Sequence, residues 1–421
     1  MQITVWGNEL SAWVARAQLA AYGNDVIHNL QDDEPVESHL RSEPGLLISL
    51  QTAKFSGRLI ADSQQAMTSE VHWLAMDSDE LPAAQALIKE LSLKCEGPLL
   101  IVNQSNFGVG VSDQLQKTLD ERKGQHVVYL PDLLQAGQAM QQFANPQALL
   151  MGSDTTEATE GLLGILRPFH LGQRPTQTMT RREAEFVKYA ITGLLAMRLG
   201  YINEMASLCD QLGLDIDAIR RGMTTDVRIG THYLQPGCGF GGQQFTRYLE
   251  GLAELLNKQR GSIFIDTLLG QNEINKEWPF RTLWQHYQCD LSNKTFALWG
   301  VAFKPGVADV ETSPAIAVID ALLAQGAKLK IHDPEALQAL ASRYPKNPNL
   351  ILTTNNYEAC EDADGLLLLT AWPEYASPDF KRIAKLLREP LIIDGRNLYD
   401  PSRVQHMGIQ YYCMGRSCLT K

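Results

Sequence analysis

The sequence predicts an α/β protein: two parallel-sheet halves separated by a helical middle that carries one long helix. Three observations lead there. Short apolar β-rich runs alternate with helical stretches over residues 1 to 175, the same alternation returns over residues 290 to 421, and an unbroken helical pattern of about 33 residues lies between them. Apolar strands alternating with helices indicate βαβ units and sheets covered on both faces.

In the first half, "QITVW" at residues 2 to 6 is a β-rich run that ends at Gly7 and leads into an apolar helical pattern through Leu19 and Ala20. "NDVIHNL" reads as the next strand, and "LLISL", "VHWLAM", "PLLIVNQ" and "HVVYL" as later ones. The middle, 176 to 289, opens with "MTRREAEFVKYAITGLLAMRLGYINEMASLCDQLG". Its apolar residues Ala184, Val187, Ile191, Leu194, Leu195, Ile202, Met205 and Cys209 fall near helical spacing. Thr180 with Glu183 predicts a capping box, and Gly213 a stop. At 1.5 Å per residue such a helix is roughly 50 Å long, more than a small domain spans, so it is expected to connect domains or to build a subunit interface. In the last half "KTFALWGVAF", "AKLKIHD", "LILTT", "DGLLLLT" and "PLIIDG" read as strands, with helices such as "SPAIAVIDALLAQG" between them.

Composition bounds the function. With 421 residues the chain is long for a single core, and 44% hydrophobic with 20% charged residues is ordinary for a globular protein. A formal net charge of -11 argues against a general nucleic-acid binder, which carries a basic face. Seven cysteines without a CxxC or metal-ligand spacing read as reduced thiols of a cytoplasmic protein, with no metal site. "MQITVWG" enters a strand directly, so no signal peptide is expected, and apolar runs such as "GLLLLTAW" are far shorter than the roughly 20 residues of a membrane span.

The most specific local feature is "GCGFGGQQF", Gly237 to Phe245. Glycines let a backbone come close to a ligand. A reactive side chain is then expected at the loop's end, yet Gln243 and Gln244 carry amides that are neither nucleophiles nor bases.

Together "RIGTHYLQPGCGFGG", "GVAFKPGVADVETSP", "DGRNLYDP" and "AEFVKYA", in that order and at the expected separations, resemble the UDP-glucose/GDP-mannose dehydrogenase family. "SEPGL" with "GRLIADSQQA", and "LPDLLQAGQAM", extend the resemblance over nearly the whole chain. It implies two Rossmann-like parallel-sheet domains joined by a long central helix, and NAD-dependent oxidation of a nucleotide-sugar C6 alcohol to a carboxylate. A cysteine is needed there, because a thiolate forms the covalent adduct and later leaves. The family ends its glycine loop in Ser-Cys-Phe-Pro-Lys-Asp; this chain has Gln243-Gln244-Phe245-Thr246-Arg247-Tyr248, so Gln244 stands at the nucleophile position. Cys238, six residues earlier, is the one nearby thiol.

The remaining catalytic positions are mixed. Lys188 matches the family lysine that stabilises developing oxyanion charge, Asp132 stands where the family has a glutamate, Thr192 where it has an asparagine, and Asn106 where it has a threonine. Alone, Lys188 reads as a solvated helix lysine; its motif position makes it a site candidate. On the cofactor side, Gly7-Asn8-Glu9-Leu10-Ser11-Ala12 keeps only the first glycine of the dinucleotide fingerprint. Glu9 stands where a pyrophosphate needs room. Two like charges about 5 Å apart cost roughly 3 kcal/mol at an effective dielectric of 20, on the order of a hundredfold in affinity. Leu30 falls at the position of the ribose-binding acid and Glu311 at that of a cofactor-binding arginine. NAD binding is therefore expected to be weak or absent.

The nucleotide-sugar side is better kept. Arg228 matches an arginine that reaches a neighbouring subunit's substrate, which implies a homodimer; Phe240, Gly241 and Gly242 match the loop around the sugar nucleotide; Lys304 and Arg396 match further substrate contacts. Cations suit a diphosphate because they donate charge-assisted hydrogen bonds. Gln235 replaces a lysine of some members. Three readings stay open: a UDP-sugar binder without the full dehydrogenase reaction, in a regulatory, scaffolding or partner-subunit role; an active oxidoreductase with altered chemistry; and a structural protein with an empty pocket.

Overall fold

β1 (Gln2–Trp6) sits near the middle of an eight-stranded sheet ordered β3-β2-β1-β4-β5-β6-β7-β8, whose further strands are β2 (Asp25–His28), β3 (Leu59–Ala61), β4 (Val71–Leu74), β5 (Leu99–Asn103), β6 (Gln125–Tyr129), β7 (Leu149–Gly152) and β8 (Thr176–Met179). This computed structural model describes residues 1–29, 43–170 and 175–416, and divides into two compact units, Met1–Ala190 and Ile191–Lys421. The first sheet is parallel except between β6 and β7, which pair antiparallel through Tyr129 and Gly152. Neighbouring strand residues feed opposite cores: Val5, Trp73, Val102 and Val128 enter one buried cluster, and Trp6, Leu74, Ile101 and Val127 another. That alternation follows from the period of two of a β-strand and explains why these runs read as continuously apolar.

The second unit holds a six-stranded, all-parallel sheet ordered β11-β10-β9-β12-β13-β14, built from β9 (Thr295–Trp299), β10 (Lys328–His332), β11 (Leu350–Leu352), β12 (Gly365–Leu368), β13 (Leu391–Asp394) and β14 (Gln410–Cys413). Its strand order repeats that of β3 through β6 in the first sheet. Three helices, Gln243–Arg260, Phe264–Lys276 and Trp278–His286, precede it. The two parallel-sheet units and the helical middle are the fold the sequence predicts.

One predicted strand is corrected. "LLISL" lies in a helix, Leu46–Phe55, whose buried residues are Leu46, Leu50 and Ala53. That spacing is helical, and a short apolar run cannot be assigned by hydrophobicity alone. β3 and β7 are apolar but only three and four residues long, and β8 and β14 carry too little apolar patterning to stand out. The long helix runs Arg181–Leu212. Its capping box forms as expected: Glu183 accepts from Thr180 N–H at 2.8 Å and Thr180 Oγ1 accepts from Glu183 N–H at 3.3 Å. Gly213, at φ +66°, ends it, with Leu214 N–H donating back to Cys209 C=O at 2.9 Å.

Candidate functional site

In the second unit the glycine loop is tied down link by link. Gly237 N–H donates to Asn203 Oδ1 at 3.0 Å, Cys238 N–H to Gly395 C=O at 2.8 Å and Gly242 N–H to Thr312 Oγ1 at 2.8 Å. Arg396 Nη1 donates to Gly239 C=O at 2.9 Å, and the Asn272 amide serves both polar groups of the Phe240 backbone. The glycines are required by space: a Cβ on Gly241 would lie 2.4 Å from Thr312 C=O, and on Gly242, at φ +102°, 2.8 Å from the Phe303 ring. Phe240 is buried and meets Phe245 edge to face.

Gln244 sits in the first turn of the helix Gln243–Arg260, and its residue is exposed. Cys238 is fully buried; burial pushes its thiol up, only partly opposed by the nearby Arg396 charge. Arg396 is half-buried; besides Gly239 it donates Nε to Leu369 C=O at 2.6 Å, while its buried Nη2 has no hydrogen-bond partner. Lys304 is half-buried, with Nζ 5.7 Å from the Phe303 ring centre. Glu311 is exposed and its carboxylate lies 3.8 Å from Arg343 Nη1. Arg228 lies on an exposed turn, paired with Asp226 at 2.6 Å.

In the first unit β1 ends at Gly7, at φ +101°, where a Cβ would fall 2.0 Å from Ala75 C=O. This glycine serves the close passage of two backbones, so its presence alone does not signal a cofactor. Glu9 is the N-cap residue of the helix Leu10–Ala21 and is half-exposed, and its side chain does not cap the helix. Beneath the turn the fully buried Arg16 donates to Gly7 C=O at 2.6 Å. Leu30 lies outside the described residues.

Beyond β6, Asp132 is buried; burial raises its carboxyl, while the Lys188 charge and hydrogen bonds from Leu134 N–H and Ser11 draw it back. Burial lowers the half-buried Lys188, and Asp132 opposes that shift. The unit thus brings Asp132 and Lys188 within electrostatic reach, each charge favouring the charged form of the other. Asn106 accepts from Tyr189 O–H at 3.0 Å.

Two family models match the chain: the central domain of the UDP-glucose/GDP-mannose dehydrogenase family over residues 182–277 and its UDP binding domain over residues 297–401. A UDP-glucose 6-dehydrogenase of Pseudomonas aeruginosa is 34% identical, aligned over 99% of this chain and 98% of that protein. The chain belongs to the UDP-glucose/GDP-mannose dehydrogenase family. Another family member, a UDP-glucose 6-dehydrogenase of Rhizobium meliloti, is 29% identical over 99% of this chain and 100% of its own. Among solved structures, a UDP-glucose dehydrogenase from Pyrobaculum islandicum superposes with a TM-score of 0.84 at 25% identity, covering 98% of this chain and 97% of that one.

Sequence reasoning singled out the glycine loop but gave no hint of the groups that hold it: Asn203, Asn272 and Thr312. They lie at sequence separations of 34, 32 and 70 residues from their partners. A single sequence gives no signal for such pairings. Glu185 was also missed. It is buried and accepts from Gly110 N–H at 2.5 Å and Ser112 N–H at 2.8 Å. It thereby holds the turn that opens the short helix Val111–Gln116. Among the described residues no group of His, Cys, Asp and Glu could hold a metal ion, and no helix is long and apolar enough to cross a membrane.

Proposed function

We propose that this family member binds a UDP-sugar in the cytoplasm, as a homodimer in a regulatory or partner-subunit role, without carrying the sugar alcohol through to the acid. One contrast carries the reading. The glycine loop is held in one shape by hydrogen bonds from distant residues, yet the position of the family thiol is the exposed amide Gln244, and the nearby thiol Cys238 is buried and pushed toward its protonated form. A thiol that is neither exposed nor ionised is a poor nucleophile. Lys304 and Arg396, the latter with an unpartnered buried Nη2, are suited to the diphosphate, and the exposed turn of Arg228 to a second subunit's ligand. The relatives' names make UDP-glucose the first ligand to try.

The residues present do not fit a dinucleotide. Glu9 is the N-cap residue of the helix Leu10–Ala21, so its negative charge stands near the helix end that would attract a pyrophosphate, although its side chain does not cap the helix. In the second unit Glu311 stands at the position of a family arginine, its carboxylate 3.8 Å from Arg343 Nη1. The test is calorimetry with UDP-glucose and with NAD at matched concentrations, and incubation with both while following NADH absorbance. UDP-glucose heat without NAD heat supports the reading; two NADH formed per sugar overturns it. Gln244→Cys alone is expected to leave activity absent, because Glu9 and Glu311 remain. The second reading, an oxidoreductase of altered chemistry, is favoured by the Asp132–Lys188 pair. Low-micromolar NAD binding would make it the better one.

A further inference from the structure

We propose that Asn272 is a positioning residue that sets the glycine loop in its ligand-ready shape before a ligand arrives; the ligand half of this inference rests on the UDP-sugar reading above. Asn272 lies in the helix Phe264–Lys276 and is 4% exposed. Its Oδ1 accepts from Phe240 N–H at 2.9 Å and its Nδ2 donates to Phe240 C=O at 3.1 Å. One side-chain amide thus satisfies both backbone polar groups of the loop's central residue, as a neighbouring strand would. The same helix turn limits the loop by volume: a Cβ on Gly239 would meet Asn272 Oδ1 at 2.9 Å and the Lys276 stem at 3.1 Å.

The consequence appears in the loop's donor inventory. From Gly237 to Gly242, the amides of Gly237, Cys238, Gly239, Phe240 and Gly242 are engaged within the unit. Among the hydrogen bonds of the described residues, only Gly241 N–H has no partner there. With Phe240 taken up by Asn272, the one backbone N–H of residues 237–242 without a partner is that of the buried Gly241, which the UDP-sugar reading assigns to a ligand oxygen. Releasing Asn272 would free two competing groups at Phe240 and loosen the segment that aims Gly241. Preorganisation of this kind raises affinity by removing an ordering cost.

Asn272→Ala and Asn272→Asp distinguish positioning from simple support. The full chain and both variants are compared at pH 8 and pH 5 by hydrogen exchange of residues 237–242 without ligand and by calorimetry with UDP-glucose. Asn272→Ala is expected to speed loop exchange and to weaken UDP-glucose by about tenfold at both pH values. Asn272→Asp is expected to behave similarly at pH 8, where a carboxylate accepts from Phe240 N–H but faces Phe240 C=O without a donor. At pH 5 the buried acid takes up a proton, and its O–H restores the second bond. Loop protection and affinity should then move back toward the wild-type values measured at the same pH. The charged groups around this position are Lys276 on the same helix, ion-paired with Glu273 at 2.7 Å, and Arg396, which donates to Gly239 C=O at 2.9 Å.

Wild-type exchange in both variants, an equal defect of Asn272→Asp at both pH values, or general loss of protection in the helix Phe264–Lys276 would overturn the proposal. Should Asn272→Ala fail to fold, the Asn272→Asp comparison decides alone. If the wild-type chain shows no UDP-glucose heat, the ligand reading fails while the exchange measurements still judge the loop's dependence on Asn272.

Discussion

Cys238 and His72 illustrate how burial sets chemistry residue by residue. Cys238 has no exposed surface and its thiol is pushed up, so iodoacetamide at neutral pH should leave it unmodified in the native protein while labelling the exposed Cys289. Peptide mass spectrometry reads this directly, and rapid native labelling of Cys238 would reopen it as a displaced nucleophile. His72 on β4 is also fully buried: Nδ1 accepts from Trp6 Nε1 at 3.0 Å and Nε2–H donates to Ser69 C=O at 2.9 Å. Burial lowers it to about 4, slightly opposed by the Ser69 bond. Its folded value lies below the unfolded one, so the unfolded chain takes up the proton first. Stability is full above about pH 6.5 and falls as the pH drops toward 4, by about 2 kcal/mol at pH 5. Urea unfolding should show this loss in the wild type. His72→Gln, which can both accept from Trp6 and donate to Ser69, should lack that part of the slope.

At the scale of elements, what the sequence makes legible carries a local physical signature. The long helix was legible because apolar spacing, the Thr180–Glu183 box and Gly213 all pointed to the same ends. The "LLISL" segment was not, because a run of four aliphatic residues and one serine satisfies a helix and a strand equally. The glycine loop shows the same limit within the site. Its composition announced close backbone approach, and Gly241 and Gly242 indeed have no room for a Cβ. What the approach serves, however, lies on elements distant in sequence. Gly241→Ala should therefore push the loop off Thr312 and weaken UDP-glucose by tenfold or more, on the order of 1.4 kcal/mol. Because the strain is local to a loop, the melting temperature should shift far less than binding. Calorimetry and a thermal scan separate the two, and a large fall in melting temperature with intact affinity would contradict the assignment of this loop to the ligand.

For the whole molecule, the open question is how the exposed apolar surface of the second unit is covered. Along the long helix Ile191, Leu194, Tyr201, Leu208 and Leu212 are 39%, 56%, 52%, 45% and 61% exposed. Leu194, Tyr201 and Leu208 recur every seven residues, with Ile191 and Leu212 flanking them, so they lie along one stripe of roughly 30 Å. Single exposed apolar residues are ordinary, but an aligned stripe of this length is the kind of surface a subunit interface uses, and the homodimer proposed above would cover it. The occupant argued for is a second copy, because the stripe lies on one long helix and can meet its own counterpart about a two-fold axis. Nearby in sequence, Arg228 stands on an exposed turn with only Asp226 as its ion-pair partner among the described residues. Light scattering at micromolar concentration should therefore give twice the chain mass, and the double variant Leu194→Glu, Leu208→Glu should give one chain mass with unchanged circular dichroism. If Arg228 serves the partner's ligand, that monomeric variant should also lose UDP-glucose affinity to the same extent as Arg228→Ala in the dimer. A wild-type monomer would sink the dimer, whereas a dimer whose affinity is untouched by Arg228→Ala would keep the interface and remove the shared site.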